Sequence, residues 1–218
     1  MFRRQRLTLL RNSAPPLQPR QPMGGPLRLC WTGAPWTRPQ DLALLRPLAQ
    51  WICELGLAVR WRHAPGRLSF AEALGLPAAA VETVPLLPHC DYLEALGGDI
   101  GLAPLAPGLF NSFKSELKLL EFSSAAMPWI ASASPPYQEL CTRWGWAGRL
   151  CTTPRDWIGQ LQALLDPAQR QCEGRALQQL SQSRQSQQQA AQQWAQLRAR
   201  RANAPTPRPG PANRMCRR

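Results

Sequence analysis

Residues 99–137 read DIGLAPLAPGLFNSFKSELKLLEFSSAAMPWIASASPPY. The stretch opens on a strand-length apolar run, DIGLAPL (99–105), closed by proline, and PWIAS (128–132) is a second such run. Short apolar runs bounded by Gly and Pro are the signature of strands covered on both faces. Between them, after a loop holding Asn111, the spacing predicts a helix over 114–126 that contains KSELKLLEF (114–122). On such a helix Lys114, Lys118 and Glu121 fall within about 60° of one another, while Leu117, Leu119 and Leu120 point elsewhere. Strand, helix and strand in succession make a βαβ unit, and that unit decides the fold class.

The pattern continues outward. LRLCWTG (27–33), LAVRWR (57–62), VETVPLL (81–87) and RLCTT (149–153) read as further strands. DLALLRPLAQWICELG (41–56) reads as a helix with Asp41 as N-cap and a glycine closing it, HCDYLEALGG (89–98) as a short helix, and PPYQEL as a helical turn. The alternation predicts an α/β domain with a parallel sheet, in which ligands bind at the carboxyl ends of the strands. The loops to watch are GAPWTRPQ, APLAPGLFNSF and SASPP. After Pro154 the chain turns helical, with an amphipathic helix over 155–166 and a glutamine-rich one from Ala168 to about Arg201. The second carries only a thin apolar stripe (Leu177, Leu180, Trp194, Leu197), so it is either packed on the surface or awaiting a partner. Four segments follow: 1–26, 27–167 as the ligand-binding domain, 168–201 as the Gln-rich helix, and 202–218.

The net charge of +13 belongs to the two ends. Residues 1–28 hold six arginines and residues 198–218 seven, neither stretch has an acid, and residues 29–197 are neutral overall. The same ends carry APPLQPRQPMGGP (14–26) and APTPRPGPANR (204–214), proline-rich runs that cannot bury enough apolar surface to offset their ordering entropy. Disorder is therefore expected over 1–26 and 202–218. Without interleaved aromatics or a nucleic-acid-binding motif, these tails predict no specific nucleic-acid partner and at most peripheral contact with an anionic membrane.

Seven cysteines (Cys30, Cys53, Cys90, Cys141, Cys151, Cys172, Cys216) are scattered without a CxxC pair, and His63 and His89 are the only histidines. No metal site is expected from such spacing; the cysteines read as reduced small hydrophobes. With no signal-peptide pattern and no membrane-length apolar run, the expected location is cytoplasmic.

The 99–137 stretch resembles the donor-binding core of GT-B glycosyltransferases of the group 1 kind. That core carries D-hydrophobic-G-hydrophobic-x-P, then F-N-x-x-K-S-x-x-K-hydrophobic-x-E, then a P-V-V-A-S-like strand and G-P-Y. The matching residues are Asp99 to Pro104, Phe110, Asn111, Lys114, Ser115, Lys118, Glu121, Pro128 to Ser132, Pro136 and Tyr137. Weaker likeness extends over residues 27–200. The resemblance implies a Rossmann-like sheet flanked by helices, followed by C-terminal helices: the C-terminal half of a GT-B fold. It implies a nucleotide-diphosphate sugar as donor substrate, no cofactor and no metal (there is no Asp-x-Asp motif), and retention of anomeric configuration.

The physics of a donor site agrees. A helix N-terminus near Ser115 and Glu116 attracts phosphate, and Lys114 adds a point charge. Glu121 can accept hydrogen bonds from the ribose diol, and Gly33 admits close approach of the diphosphate. Lys118 either joins the donor site or simply pairs with Glu121. Asn111 and Tyr137 match the motif, but a loop asparagine and a packed aromatic have structural readings too. His89 and Cys90 lie where the chain passes the expected base site, and Asp91 reads as a helix N-terminal charge.

The chain departs from the pattern at Phe113, where many relatives have a glutamate facing the transferred sugar, and at Trp36, Thr37 and Arg38, where a histidine is common. It also lacks the family's first, acceptor-binding domain, whose end LTLLRNSAPP (7–16) resembles. A truncated product, one half of a split pair with a separate acceptor-domain polypeptide, or a late start codon are the expectations, and no catalytic residue is assigned. Two other functions fit the sequence: a non-catalytic nucleotide-sugar-binding module docking on a partner, or a basic-tailed interaction protein on a Rossmann-like scaffold.

Overall fold

The computed structural model describes residues 10–18, 24–33, 35–63, 70–85 and 97–202. In chain order its elements are β1 (Leu27–Trp31), α1 (Pro39–Ala43), α2 (Arg46–Glu54), β2 (Val59–His63), α3 (Phe70–Leu74), β3 (Val81–Thr83), β4 (Ile100–Ala103) and α4 (Leu109–Ser112). Next come α5 (Leu117–Ser124), β5 (Trp129–Ser132), α6 (Pro135–Trp144), β6 (Leu150–Cys151), α7 (Pro154–Ala163), α8 (Pro167–Gln185) and α9 (Gln187–Ala202). The six strands form one parallel sheet in the order β3-β2-β1-β4-β5-β6.

Alternation along β1 sends Leu29 and Trp31 to one face and Cys30 to the other. On the first face they join Leu48, Trp61, Phe70 and Trp157 beneath α2, α3 and α7. On the second, Cys30 joins Leu119, Phe122, Trp129, Leu140 and Leu177 beneath α5, α6 and α8. The central strands β4 and β5 are buried along their whole length, as their continuous apolar runs require. All six strands predicted from sequence are present, and the Rossmann-like parallel sheet is the observed fold.

The helices differ in detail. The helix expected over 41–56 is split into α1 and α2 at Leu44 and Leu45, because Pro47 sits in the first turn of α2, where its missing N–H costs no intrahelical bond. Gly56 does follow the second piece, with a left-handed φ of 61°. Asp41 is not an N-cap: Arg38 occupies that position of α1, and Asp41 lies inside the first turn, 5% exposed. The expected 114–126 helix begins only at Leu117, and the loop ahead of it contains the extra turn α4. The PPYQEL turn extends into the ten-residue α6. The Gln-rich helix breaks at Ser186, whose ψ of 160° is extended.

That break explains a further departure. Disorder was expected over 1–26, yet residues 10–18 form a strap against α8. Ala14 is 4% exposed, its N–H donates to the Gln185 carbonyl at 2.7 Å, and it bridges Ser186 as two parallel strands would. Gln185 Nε2 in turn donates to the Asn12 carbonyl at 2.7 Å, and Leu17 packs beside Leu180. Past this seam α9 runs with Trp194 exposed. The predicted helix at 89–98, with His89, Cys90 and Asp91, lies outside the described residues, as do most of both tails. Among described cysteines, Cys30, Cys141 and Cys151 are buried and Cys53 and Cys172 exposed, all as free thiols. Burial pushes the Cys141 thiol up to about 11 and, with Asp156 adding to it, that of Cys151 to about 12. No helix among the described residues is long and apolar enough to cross a membrane.

Candidate functional site

Strand order reverses between β1 and β4: from β1 the chain builds outward to β2 and β3, and from β4 to β5 and β6. The loops leaving the carboxyl ends of two such strands diverge and leave a crevice. Here they are stitched together by Asp41. Its Oδ1 accepts from the Ala106 amide at 2.7 Å and from Asn111 Nδ2 at 2.8 Å, and its Oδ2 lies 3.2 Å from Lys114 Nζ. Asn111 also donates to the Ala106 carbonyl at 2.8 Å. A carboxylate from α1 thus fixes the loop after β4 and the lysine that follows it.

Lys114 spends one contact on Asp41, and its side chain remains 21% exposed. Its Nζ stands 5.5 Å from the centroid of the Phe110 ring, and Arg38 Cζ stands 5.0 Å from the same centroid. Two cations thus approach one exposed ring, with the Lys114 charge partly countered by Asp41. Glu121 lies on α5, 4% exposed, with Lys118 Nζ 2.9 Å from its Oε2. Tyr137, 2% exposed on α6, has its hydroxyl pKa raised well above the ordinary tyrosine value, first by burial and then by the charges of Asp41 and Glu121.

The residues singled out from sequence are not all together. Asn111 and Lys114 meet on Asp41, and Lys118 pairs with Glu121. The shared helical face of Lys114, Lys118 and Glu121 is corrected: the Asp41 bonds draw 106–114 into a separate short turn, so Lys114 falls between α4 and α5. Ser115 is exposed just ahead of α5, whose N-cap is Glu116. Glu116 is buried and bonded to Arg143 at 3.0 Å and Gln185 Nε2 at 2.8 Å. Gly33 follows β1, where a Cβ would stand 2.5 Å from the Trp31 ring, so its own neighbour's ring already demands glycine. Phe113 is 82% exposed. Sequence reasoning missed Asp41 as a site residue. Two signals marked it: Asp41 is the only acid before Glu54, and Lys114 and Lys118 are the only lysines of an otherwise arginine-based chain. No group of three or more His, Cys, Asp or Glu able to hold a metal occurs among the described residues.

This sheet order defines a Rossmann-type fold, and GT-B glycosyltransferases are among the solved structures that share it. HepE of Anabaena, solved with UDP-glucose, is 16% identical, with 80% of this chain covered and a TM-score of 0.60. TarM of S. aureus, solved as a mutant with fondaparinux, α-GlcNAc-glycerol and UDP, is 11% identical over 90% of this chain, with a TM-score of 0.67. A glycosyltransferase of Rickettsia africae is 12% identical over 84%, with a TM-score of 0.62. The chain spans at most about half of these proteins: 49% of HepE, 40% of TarM and 49% of the Rickettsia enzyme. No family model and no curated protein matches the sequence.

Proposed function

We propose that the chain is the donor-binding, C-terminal part of a glycosyltransferase and holds a nucleotide-diphosphate sugar in the crevice between the β1 and β4 loops. The observation that carries this reading is the Asp41–Asn111–Lys114 cluster at the strand-order reversal. Lys114 has ammonium donors beyond the one aimed at Asp41, and these can reach a phosphate oxygen while Asp41 keeps the chain fixed. Arg38, whose Cζ is 5.0 Å from the Phe110 ring centroid, adds charge beside Lys114. Such prearranged cations stabilise negative charge as it develops on a departing diphosphate. Glu121, oriented by Lys118, is suited to accept hydrogen bonds from a vicinal diol such as that of ribose.

HepE and TarM were solved with UDP-glucose and UDP, which makes uridine diphosphate the first nucleotide to try. Calorimetric titration of the chain with UDP, GDP and ADP, beside Lys114→Ala and Glu121→Ala, tests the reading. Saturable binding of one nucleotide, weakened at least tenfold by each change, is expected. A folded chain that ignores millimolar nucleotide would retire the proposal and leave the fold as ancestry only.

A separate acceptor-binding polypeptide is the form of this function favoured by one surface. Leu109, Phe110 and Phe113 are 79%, 68% and 82% exposed beside the crevice, an apolar patch of the kind that marks a contact with another protein. Glycosyl transfer is then expected only when that half is supplied.

A further inference from the structure

We infer that Gln185 is a positioning residue for the donor site: tied to the strap at 10–18, it holds the Glu116 carboxylate away from the place where a donor's diphosphate arrives. The role toward a donor rests on the reading above; the coupling between the strap and α5 does not.

Glu116 stands at the N-cap of α5, two positions after Lys114. Its carbonyl accepts from the amides of Leu119 and Leu120 at 2.9 and 3.2 Å and so closes the first turn. A carboxylate at such a position is drawn to the positive end of its own helix, and a phosphate is drawn to the same place. Yet the Glu116 side chain makes no capping bond. Its Oε1 accepts instead from Arg143 Nη2 at 3.0 Å and from Gln185 Nε2 at 2.8 Å, and the residue is 7% exposed. With its own acid turned aside, the helix end stays open to an anion.

Gln185 is the group that turns it. The side chain is buried, and both of its polar atoms are engaged. Oε1 accepts from Arg143 Nη1 at 3.0 Å, and Nε2 donates to Glu116 Oε1 and to the Asn12 carbonyl at 2.7 Å. Exchanging Oε1 and Nε2 would set an oxygen against a carboxylate and a carbonyl, so one orientation of the amide is fixed. The backbone helps as well. α8 ends at this residue, because Ser186 is extended, and the Gln185 carbonyl accepts from the Ala14 amide at 2.7 Å.

Two of these four bonds, those to Asn12 and Ala14, come from the strap. Arg11 pins the same strap to Glu139 on α6 at 2.5 Å. Lifting the strap therefore frees the Gln185 amide to turn and leaves Arg143 as the remaining partner of Glu116 among the described residues. The Arg143 side chain is 26% exposed, and a single ion pair that reaches solvent is a weak restraint. Once released, the carboxylate swings onto the start of α5 and repels a diphosphate there. The seated strap thus favours the donor, and by linkage a bound donor favours the seated strap.

The test measures UDP binding to the full chain by calorimetry. Two variants unseat the device: Gln185→Ala, and Ala14→Gln, whose longer side chain must leave a position where alanine is 4% exposed. Each is expected to weaken UDP about tenfold. Adding Glu116→Gln to either is expected to restore the parent's affinity, because the repelling charge is gone. Folded variants that bind UDP like the parent overturn the proposal. So does a loss that Glu116→Gln fails to restore, since a general loosening of the domain would not depend on that charge. The coupling is also read without nucleotide. Amide hydrogen exchange at Leu119 and Leu120 is expected to quicken about fivefold in Ala14→Gln, with Leu102 on β4 unchanged. No change at α5 overturns the coupling whatever UDP does. A parent chain that ignores UDP while α5 responds to Ala14→Gln overturns the donor reading, and with it the positioning role, and leaves the coupling standing.

Discussion

Two part-buried ion pairs stand at opposite ends of the sheet and are built differently. At the start of β6, Arg149 Nε lies 2.8 and 2.9 Å from the two carboxylate oxygens of Glu173, and its Nη2 lies 2.7 Å from Oε2. Its Nη1 is taken by Gln160 at 2.7 Å. At the carboxyl end, Lys114 makes a single 3.2 Å contact with Asp41. The first pair is a bidentate fork joining β6, α7 and α8, with every guanidinium nitrogen bonded to the protein's own side chains. The second leaves cationic donors over at the crevice mouth. How fully a charged group is met by its own chain separates a structural pair from one prepared for a ligand.

The sharpest way to break this contrast is to remove one partner of each pair. Glu173→Ala leaves a part-buried guanidinium without its carboxylate and is expected to cost about 3–5 kcal/mol in urea unfolding, with UDP affinity unchanged in the protein that remains folded. Lys114→Ala leaves Asp41 still bonded to two N–H donors. It is expected to cost only about 1–2 kcal/mol while weakening UDP at least tenfold. If the two variants exchanged these signatures, the assignment of structural and ligand-facing pairs would be wrong.

A smaller effect sharpens the contrast at the surface. The amides of Thr152 and Thr153 and the Thr152 hydroxyl hold the Asp156 carboxyl down at about 2, below the ordinary aspartate value of 3.8. A pKa lowered on folding contributes stability that is present above the unfolded value and disappears as pH falls through the folded one. Asp156→Asn should therefore lower the Tm at pH 7, and the gap to the parent should close between about pH 4 and pH 2. A gap independent of pH would show that the carboxylate's charge is not what caps α7. The smallest effect belongs to Ser134→Ala: the lost hydroxyl has no partner among the described residues, so unfolding free energy should stay within about 0.5 kcal/mol.

The same distinction explains what the sequence made legible. All six strands were readable because burial on both faces imposes continuous apolar runs, and Gly or Pro ends them. Helix boundaries were less so, since Pro47 within a helical periodicity marks equally well an interruption or a fresh start. The spacing of a motif singled out Asn111, Lys114 and Glu121, and the first two meet on Asp41. Asp41 was not, because an acid near a helix start has a local explanation, capping, that hides a bond to residues about seventy positions away. The strap at 10–18 was hidden for a similar reason: composition describes what a segment can bury by itself, and Ala14 and Leu17 bury against α8 and its neighbours. The cleft of about 500 Å³ at the carboxyl ends of β4, β5 and β6 depends on loops from three strands, and no single stretch of sequence carries it.

The seam between Ala14 and Ser186 has a mechanical consequence. The two segments run parallel, so a pull on the chain ahead of the strap and beyond α9 slides them past each other and loads the Ala14–Gln185 and Asn12–Gln185 bonds in shear. The sheet lies behind this seam and feels no force until it gives. In a single-molecule stretching trace the strap and α9 should release first, in a small early step, and the parallel sheet should yield in a separate, larger rupture. A single rupture would mean that strap and sheet break as one body.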